Sequence, residues 1–328
     1  MYNYTQIKSI HLEITSRCQA SCPMCIRNIQ GGVDNPWLEL DEITFEQFKQ
    51  WFPIEFLQQL DKLYMCGNTG DPIIAKDTLE IFKYLREVNP NIELSMNTNG
   101  SARTIAWWKE LAAVNVRVIF GIDGLEDTHS LYRVGTDWHA IIRNAWSFIH
   151  AGGTAEWHML VFAHNEHQID ECKDISDSMG FKHFSVKHTA RFKDGSHTVL
   201  TPTGTTSHIL QPSTRSKEFN NKFAKYNVEE NTEIHCKVQA DRSIYINAQG
   251  DVNACCWLDF KAAPPWLPAL VNYKDRGFNT FNLKALSLAE IFNSGYFDAL
   301  AVSWDQPLLQ CSKQCGKIDR FKEQFNDA

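Results

Sequence analysis

Two kinds of stretch take turns along the first 190 residues: short apolar runs, and longer segments in which apolar residues recur at helical spacing. Ile7–Ile14 reads as a strand. Phe45–Leu60 reads as helical and opens with Thr44 and, three residues on, Gln47, a capping box; Pro53 kinks or splits it. Lys62–Cys66 is a strand. Lys76–Val88 is a helix with Leu79, Phe82 and Leu85 on one face. Strands follow at Ile92–Met96, Val116–Phe120, Ala155–Phe162 and Lys182–Lys187. Helices lie between them at Ala102–Ala113, His139–His150 and His167–Met179. This order of strands and intervening helices predicts an α/β chain with a parallel sheet of barrel type, a partial (β/α)6 TIM-like barrel.

The alternation stops after Arg191. Asp194–Ser216 is rich in Gly, Ser, Thr and Pro and reads as a loop or linker. Lys217–Glu230 is polar and reads as a short helix. Ser243–Val252 alternates apolar and polar and turns at Gly250, the pattern of a hairpin. The expected organisation is a barrel over 1–200, a linking segment over 201–234, and a small cysteine-rich α+β domain over 235–328.

Composition narrows the function classes. The 328 residues are 43% hydrophobic and 22% charged, ordinary for a globular protein. Net charge is -7 with scattered basic residues, which argues against a nucleic-acid partner. No apolar run approaches the roughly 20 residues of a membrane span. The start carries no charged segment followed by an apolar core, so the expected location is cytoplasmic. Disulfides are not expected there, and the ten cysteines need another use, metal or cluster ligation.

Three of them form Cys18-x3-Cys22-x2-Cys25, in the loop after the first strand. Loops after strands make the mouth of a parallel barrel. Three thiolates hold three corners of a cubane iron–sulfur cluster and leave the fourth iron open to a small ligand. Zinc prefers four ligands and pairs such as C-x2-C, and no fourth Cys or His stands beside this trio; His11 lies within the strand. A second group follows later. Cys236 and Cys255 flank Gly250 as C-x13-G-x4-C, and Cys311 and Cys315 lie near the end. Four thiolates from a hairpin and a distal loop suit zinc or a 4Fe–4S cluster, and ligand type alone does not separate the two. Cys256, beside Cys255, is an alternative ligand or a free thiol.

The first trio, with Met24 before its last cysteine, resembles the signature of the radical S-adenosylmethionine (SAM) enzymes. The resemblance implies a 4Fe–4S cluster whose open iron binds the amino and carboxylate groups of SAM. One-electron reduction then gives methionine and a 5′-deoxyadenosyl radical. Other strand ends join it. Gly70-Asp71-Pro72 is similar to the family's Gly-Gly-Glu-Pro stretch, which holds the SAM amino group; Thr69 replaces the first glycine and Asp replaces Glu. Asn97-Thr98-Asn99-Gly100 resembles its Thr-Asn-Gly turn, and the resemblance assigns Met24, Asn97 and Asn99, with Asp123 further on, to holding SAM. Gly121-Ile122-Asp123-Gly124, followed by Tyr132-Arg133, resembles its Ser-Ile-Asp-Gly turn, and Arg133 is assigned to the substrate or the SAM carboxylate. The likeness covers about residues 7–190. The distal cysteines resemble the SPASM and shorter twitch extensions of such enzymes. Because further cysteines between Cys256 and Cys311 are missing, the one-cluster form is implied. Its auxiliary 4Fe–4S cluster would be held by Cys236, Cys255, Cys311 and Cys315. A one-electron donor such as flavodoxin or ferredoxin is implied as partner.

Hydrogen abstraction can end in oxidation, in coupling within a peptide, or in epimerisation. Lys187, His188, Arg191 and Asp194 are the acid–base candidates after the sixth strand. Cys66 and Cys256 are candidate hydrogen-atom donors, against the plain alternative of inert small hydrophobes. Cys172 falls on an apolar helical face and reads as core. Trp257 and Trp266 flank the second cysteine group. A ribosomally made peptide is the expected substrate. A sugar-like small molecule is the alternative, and a zinc-stapled binding protein without catalysis is a remote one.

Overall fold

A computed structural model describes residues 1–189, 191–192, 195–218 and 232–316, and the backbone of 325–327. Six strands stand parallel, side by side in chain order: β1 (Ser9–Leu12), β2 (Lys62–Met65), β3 (Glu93–Thr98), β4 (Arg117–Gly121), β5 (Thr154–Val161) and β6 (His183–His188). Between them run α1 (Phe45–Trp51), α2 (Ile54–Gln58), α3 (Thr78–Val88), α4 (Ile105–Ala113), α5 (Glu126–Tyr132), α6 (Trp138–His150) and α7 (Ile169–Met179). This is the partial barrel the pattern predicts.

Local chemistry sets the element ends. Thr44 caps α1 with a reciprocal box: its hydroxyl accepts from Gln47 N at 3.2 Å, and Gln47 Oε1 accepts from Thr44 N at 2.9 Å. Pro53 splits the Phe45–Leu60 segment, because it has no N–H to continue the first helix and it suits the entry to α2. Helix α5 was not legible in the pattern. It is seven residues long, too short to show a period, and opens with Glu126 and Asp127 at its positive end.

Alternation along the strands gives the sheet two faces. Leu12, Met65, Met96, Phe120, Trp157 and Val186 point to one face and are buried under the helices, with Phe82, Trp108 and Phe148. The opposite face carries His11, Tyr64, Ser95, Arg117, Glu156 and Lys187, which line the barrel interior. A polar interior framed by an apolar shell is a place for chemistry and not a core.

Beyond β1 the sheet continues with β7 (Ser243–Ile246), parallel to it, Ser9 opposite Ser243 and Leu12 opposite Ile246. Then come β8 (Asp251–Asn253) and β9 (Phe281–Asn282), both antiparallel. The expected hairpin is present, with Gly250 at φ 88° in its turn. Its ladder is continuous with the barrel, across the division placed near 200–235. At the other edge residues 325–327 pair antiparallel with β6.

The segment read as a loop at Asp194–Ser216 contains a hairpin, His197–Leu200 against Thr206–Leu210. Its threonines and branched residues suit a strand even though its composition reads as linker. Asp194 and residues 219–231 lie outside the described residues; 214–218 are helical. Among the described residues no helix is long and apolar enough to cross a membrane.

Candidate active site

The loop after β1 carries the first three cysteines to the mouth of the barrel. Its backbone is anchored on both sides. Cys25 N donates to Cys22 O at 2.9 Å, Ser21 N to Val134 O at 2.8 Å, and Arg27 Nε to Ser16 O at 3.0 Å. Cys22 is buried, and Cys18 and Cys25 are half-buried. Burial pushes the Cys22 thiol up to about 11, against the pull of the nearby Arg133 guanidinium. Burial, then the Asp71 charge, pushes Cys18 up to about 12. As free thiols these groups are neutral; a bound cation deprotonates such thiols outright.

The strand-end turns brace this loop. Asp71, buried, accepts from Thr98 Oγ1 at 2.8 Å, Ile73 N at 3.1 Å and Asn99 N at 2.8 Å, and its own N–H donates to Arg17 O at 2.9 Å. One carboxylate thus ties together the ends of β2 and β3 and the cysteine loop. Burial raises its pKa, and those donors oppose the rise. Both oxygens accept bonds within the protein. Gly70 lets the two loops meet: a Cβ there would collide with the Thr15 carbonyl and lie 2.9 Å from Arg17 O. Gly70→Ala is therefore expected to lower stability by about 1–3 kcal/mol in denaturant titration and to reduce iron uptake.

Asp123 ends β4, fully buried, and pairs with Arg133 through Oδ2, while Oδ1 accepts from Leu160 N at 2.7 Å. Burial opposes the charge on Arg133, but Asp123, Cys22 and Tyr132 hold its pKa above the ordinary value. His129 on α5 takes the Asp123 N–H on Nδ1 at 3.1 Å, and burial holds this ring down to about 4. Met24 lends its carbonyl to Arg191 Nη1 at 2.8 Å.

The interior holds a group that sequence reasoning missed. His11 and Glu13, both buried on β1 and just beyond it, pair at 2.9 Å. His11 stacks on Tyr64 at 4.6 Å and meets Tyr245 edge-on at 4.9 Å. It also bonds Cys66, whose Sγ accepts from Asn97 Nδ2 at 3.4 Å. Burial disfavours the imidazolium, yet Cys66 and Glu13 together push His11 up to about 9. The signal was present: Ser9, His11, Glu13 and Thr15 alternate with Ile10, Leu12 and Ile14. Lys187 on β6 faces the same interior. Burial, then the Arg191 charge, brings its amine down to about 8. His188 does not join it. Its side chain points to the opposite face, where Nδ1 meets Ser213 Oγ at 3.1 Å, and burial lowers it to about 4.

The distal thiols gather from three segments. Cys236 bonds Cys315, and Cys255 lies beside Cys311 and Cys315, with Cys236 also in range. His235 N donates to Cys315 O at 2.8 Å. Withdrawal from water raises the Cys255 thiol well above its ordinary value, and neighbouring thiols add to this. Cys256 turns the other way. It bonds Asn68 and lies near Glu13, Tyr64 and Tyr245, and burial pushes it up to about 12. Trp257 and Trp266 are exposed, Trp266 edge-on to Trp37. Cys172 is buried in the core.

Among the described residues no three His, Cys, Asp or Glu side chains converge tightly enough to surround one metal ion. The fit to iron–sulfur clusters therefore rests on the donor set, two groups of thiols withdrawn from water on anchored backbone, and not on a closed coordination sphere. A surface cavity of about 420 Å³, lined by residues such as Ile73, Arg103 and Trp107, contains none of these groups.

The family model of the Radical SAM superfamily matches residues 12–174, and that of the SPASM iron–sulfur cluster-binding domain matches residues 236–316. The FeMo cofactor biosynthesis protein NifB of Methanocaldococcus infernus is 27% identical over 114 residues, 34% of this chain and 37% of NifB. The match thus spans little more than a third of that relative. The crystal structure of anSMEcpe with bound AdoMet superposes with a TM-score of 0.57 at 16% identity, over 91% of this chain and 81% of that one. Streptococcus suis SuiB bound to precursor peptide SuiA gives 0.52 at 12% identity, over 87% and 64%. At such identities the structures show a common fold. Radical SAM and SPASM domains imply SAM and iron–sulfur clusters as cofactors. The chain belongs to the radical SAM superfamily and carries a SPASM-type domain in its C-terminal part.

Proposed function

We propose that this enzyme abstracts a hydrogen atom from an unactivated carbon of a ribosomally made peptide and oxidises the resulting site. Cys18, Cys22 and Cys25 would hold the SAM-binding 4Fe–4S cluster, and Cys236, Cys255, Cys311 and Cys315 one auxiliary cluster. With SAM bound, such a cluster supplies a one-electron cleavage and a 5′-deoxyadenosyl radical. The observation that carries the reading is the split at Cys255-Cys256: one thiol joins the distal group and the next enters the barrel interior. The distal thiol group thereby adjoins the barrel interior.

The remaining roles belong to the chain's own side chains. Asp71 fixes the loops around SAM through Thr98, Ile73 and Asn99 and keeps an acceptor position on Oδ2 for the SAM amino group; Gly70, Pro72 and Asn97 shape the same mouth. The half-buried Arg133 guanidinium, held by Asp123, stands beside Cys22 of the first cysteine loop. Lys187 would take the proton that a substrate heteroatom loses on oxidation, and the electron lost with it would have the cluster held by Cys236, Cys255, Cys311 and Cys315 as its acceptor. Cys66 and Cys256 border the substrate and keep it from water. A peptide substrate is supported by the neighbour SuiB, which was crystallised with a precursor peptide.

Anaerobic reconstitution with iron and sulfide, then dithionite and SAM, tests the core claim. The expected product is 5′-deoxyadenosine; zinc alone and no product would overturn it. Deuterium passing from a candidate peptide into 5′-deoxyadenosine identifies the abstracted hydrogen.

A pH profile tests Lys187. Only the neutral amine accepts a proton, and its pKa is brought down from 10.5 to about 8. Oxidation is expected to rise through pH 8 and level off above it. Lys187→Met should remove that rise while 5′-deoxyadenosine formation persists.

A further inference from the structure

Asn99, directly after β3, has every polar side-chain atom committed to the first cysteine loop and its braces. Its N–H donates to Asp71 Oδ2 at 2.8 Å. Its side-chain oxygen accepts from Gln19 Nε2 at 2.7 Å and from Ser101 N at 2.9 Å. With two N–H donors on the oxygen, the amide nitrogen must face the other way. There it meets Cys18 Sγ at 3.6 Å, and Ala20 N donates to the same sulfur at 3.4 Å. Asn99 itself is buried, at 4% exposure, and Cys18 is half-buried.

The family resemblance places Asn99 against SAM, yet its side chain is spent on the cysteine loop. We infer that Asn99 is a positioning residue that acts through Cys18, donating an N–H···S hydrogen bond that makes the open cluster easier to reduce. The inference rests on the assignment of Cys18, Cys22 and Cys25 to that cluster. A thiolate on a reduced cluster carries more negative charge than on an oxidised one. A fixed N–H donor therefore favours the reduced state, and removing it moves the potential downward. Gln19 and Asp71 hold the donor in place, so the effect depends on them as well.

The test is a redox titration of the reconstituted full-length protein. It is followed on the reduced-cluster paramagnetic signal that changes when SAM is added. Asn99→Leu keeps the approximate volume and removes the donor; its midpoint should move to more negative potential at unchanged iron content. Gln19→Leu frees the amide to turn and should move it the same way by less. An unmoved midpoint in iron-replete Asn99→Leu overturns the inference. If Asn99→Leu takes up no iron, Gln19→Leu decides alone: a downward shift supports the inference and no shift overturns it. Wild-type protein that binds no iron overturns the cluster assignment itself, and the inference with it.

Discussion

Serine in place of Cys22 should abolish 5′-deoxyadenosine formation and remove about four iron atoms per chain, one cubane's worth. Cys22 is the most buried of its trio, with a relative exposure of 9%. A serine hydroxyl there would be as withdrawn from water as the thiol, and it ionises far less readily. It would not bind iron as an anion, and two thiolates do not retain a cubane. The loss should stay local. The loop keeps the Ser21–Val134 backbone bond and the two bonds from Arg27, to Ser16 O at 3.0 Å and Ala20 O at 3.3 Å, none of which uses the sulfur. Circular dichroism and the thermal midpoint of the iron-free variant should therefore match those of iron-free wild type, while iron and product fall together on reconstitution. Product from an iron-depleted Cys22→Ser protein would remove the trio from the mechanism. The same substitution at Cys18 or Cys25 should act alike, because each is one of only three ligands in the proposed assignment.

Local chemistry was legible and non-local geometry was not. The capping box at Thr44, the split at Pro53 and the turn at Gly250 each follow from one or two residues, and all three occur as expected. The pairing of β7 with β1 joins residues more than two hundred positions apart, and no sequence period encodes it. That pairing brings Tyr245 against His11 and turns a supposed strand residue into an interior one. Lys187 and His188 looked like a pair because they are adjacent in sequence. On a strand adjacency means opposite faces, and only Lys187 is turned inward. At Asp71 and Asn99 the motif singled out two buried positions at strand ends. Which atoms were already bonded within the protein was visible only in three dimensions.

Alanine at Cys255 and at Cys256 should give opposite phenotypes although the residues are neighbours. Cys255 lies with Cys311 and Cys315, and Cys236 reaches the same group through its bond to Cys315. Removing it leaves three distal thiols, and iron should drop from about eight to about four atoms per chain. Cys256 bonds Asn68 and faces Glu13 across the interior, away from that group. Its alanine variant should keep all its iron. Formation of 5′-deoxyadenosine should continue while the yield of modified peptide per nucleoside falls, because in the proposed function the substrate loses a wall of its site and not the radical source. In Cys255→Ala the nucleoside should also form, since the first trio is untouched, but oxidation of the peptide should stop. Iron analysis paired with the product-to-nucleoside ratio separates the cases. If Cys256→Ala loses iron and Cys255→Ala retains it, the two roles are exchanged, and the distal group turns its open side toward the substrate.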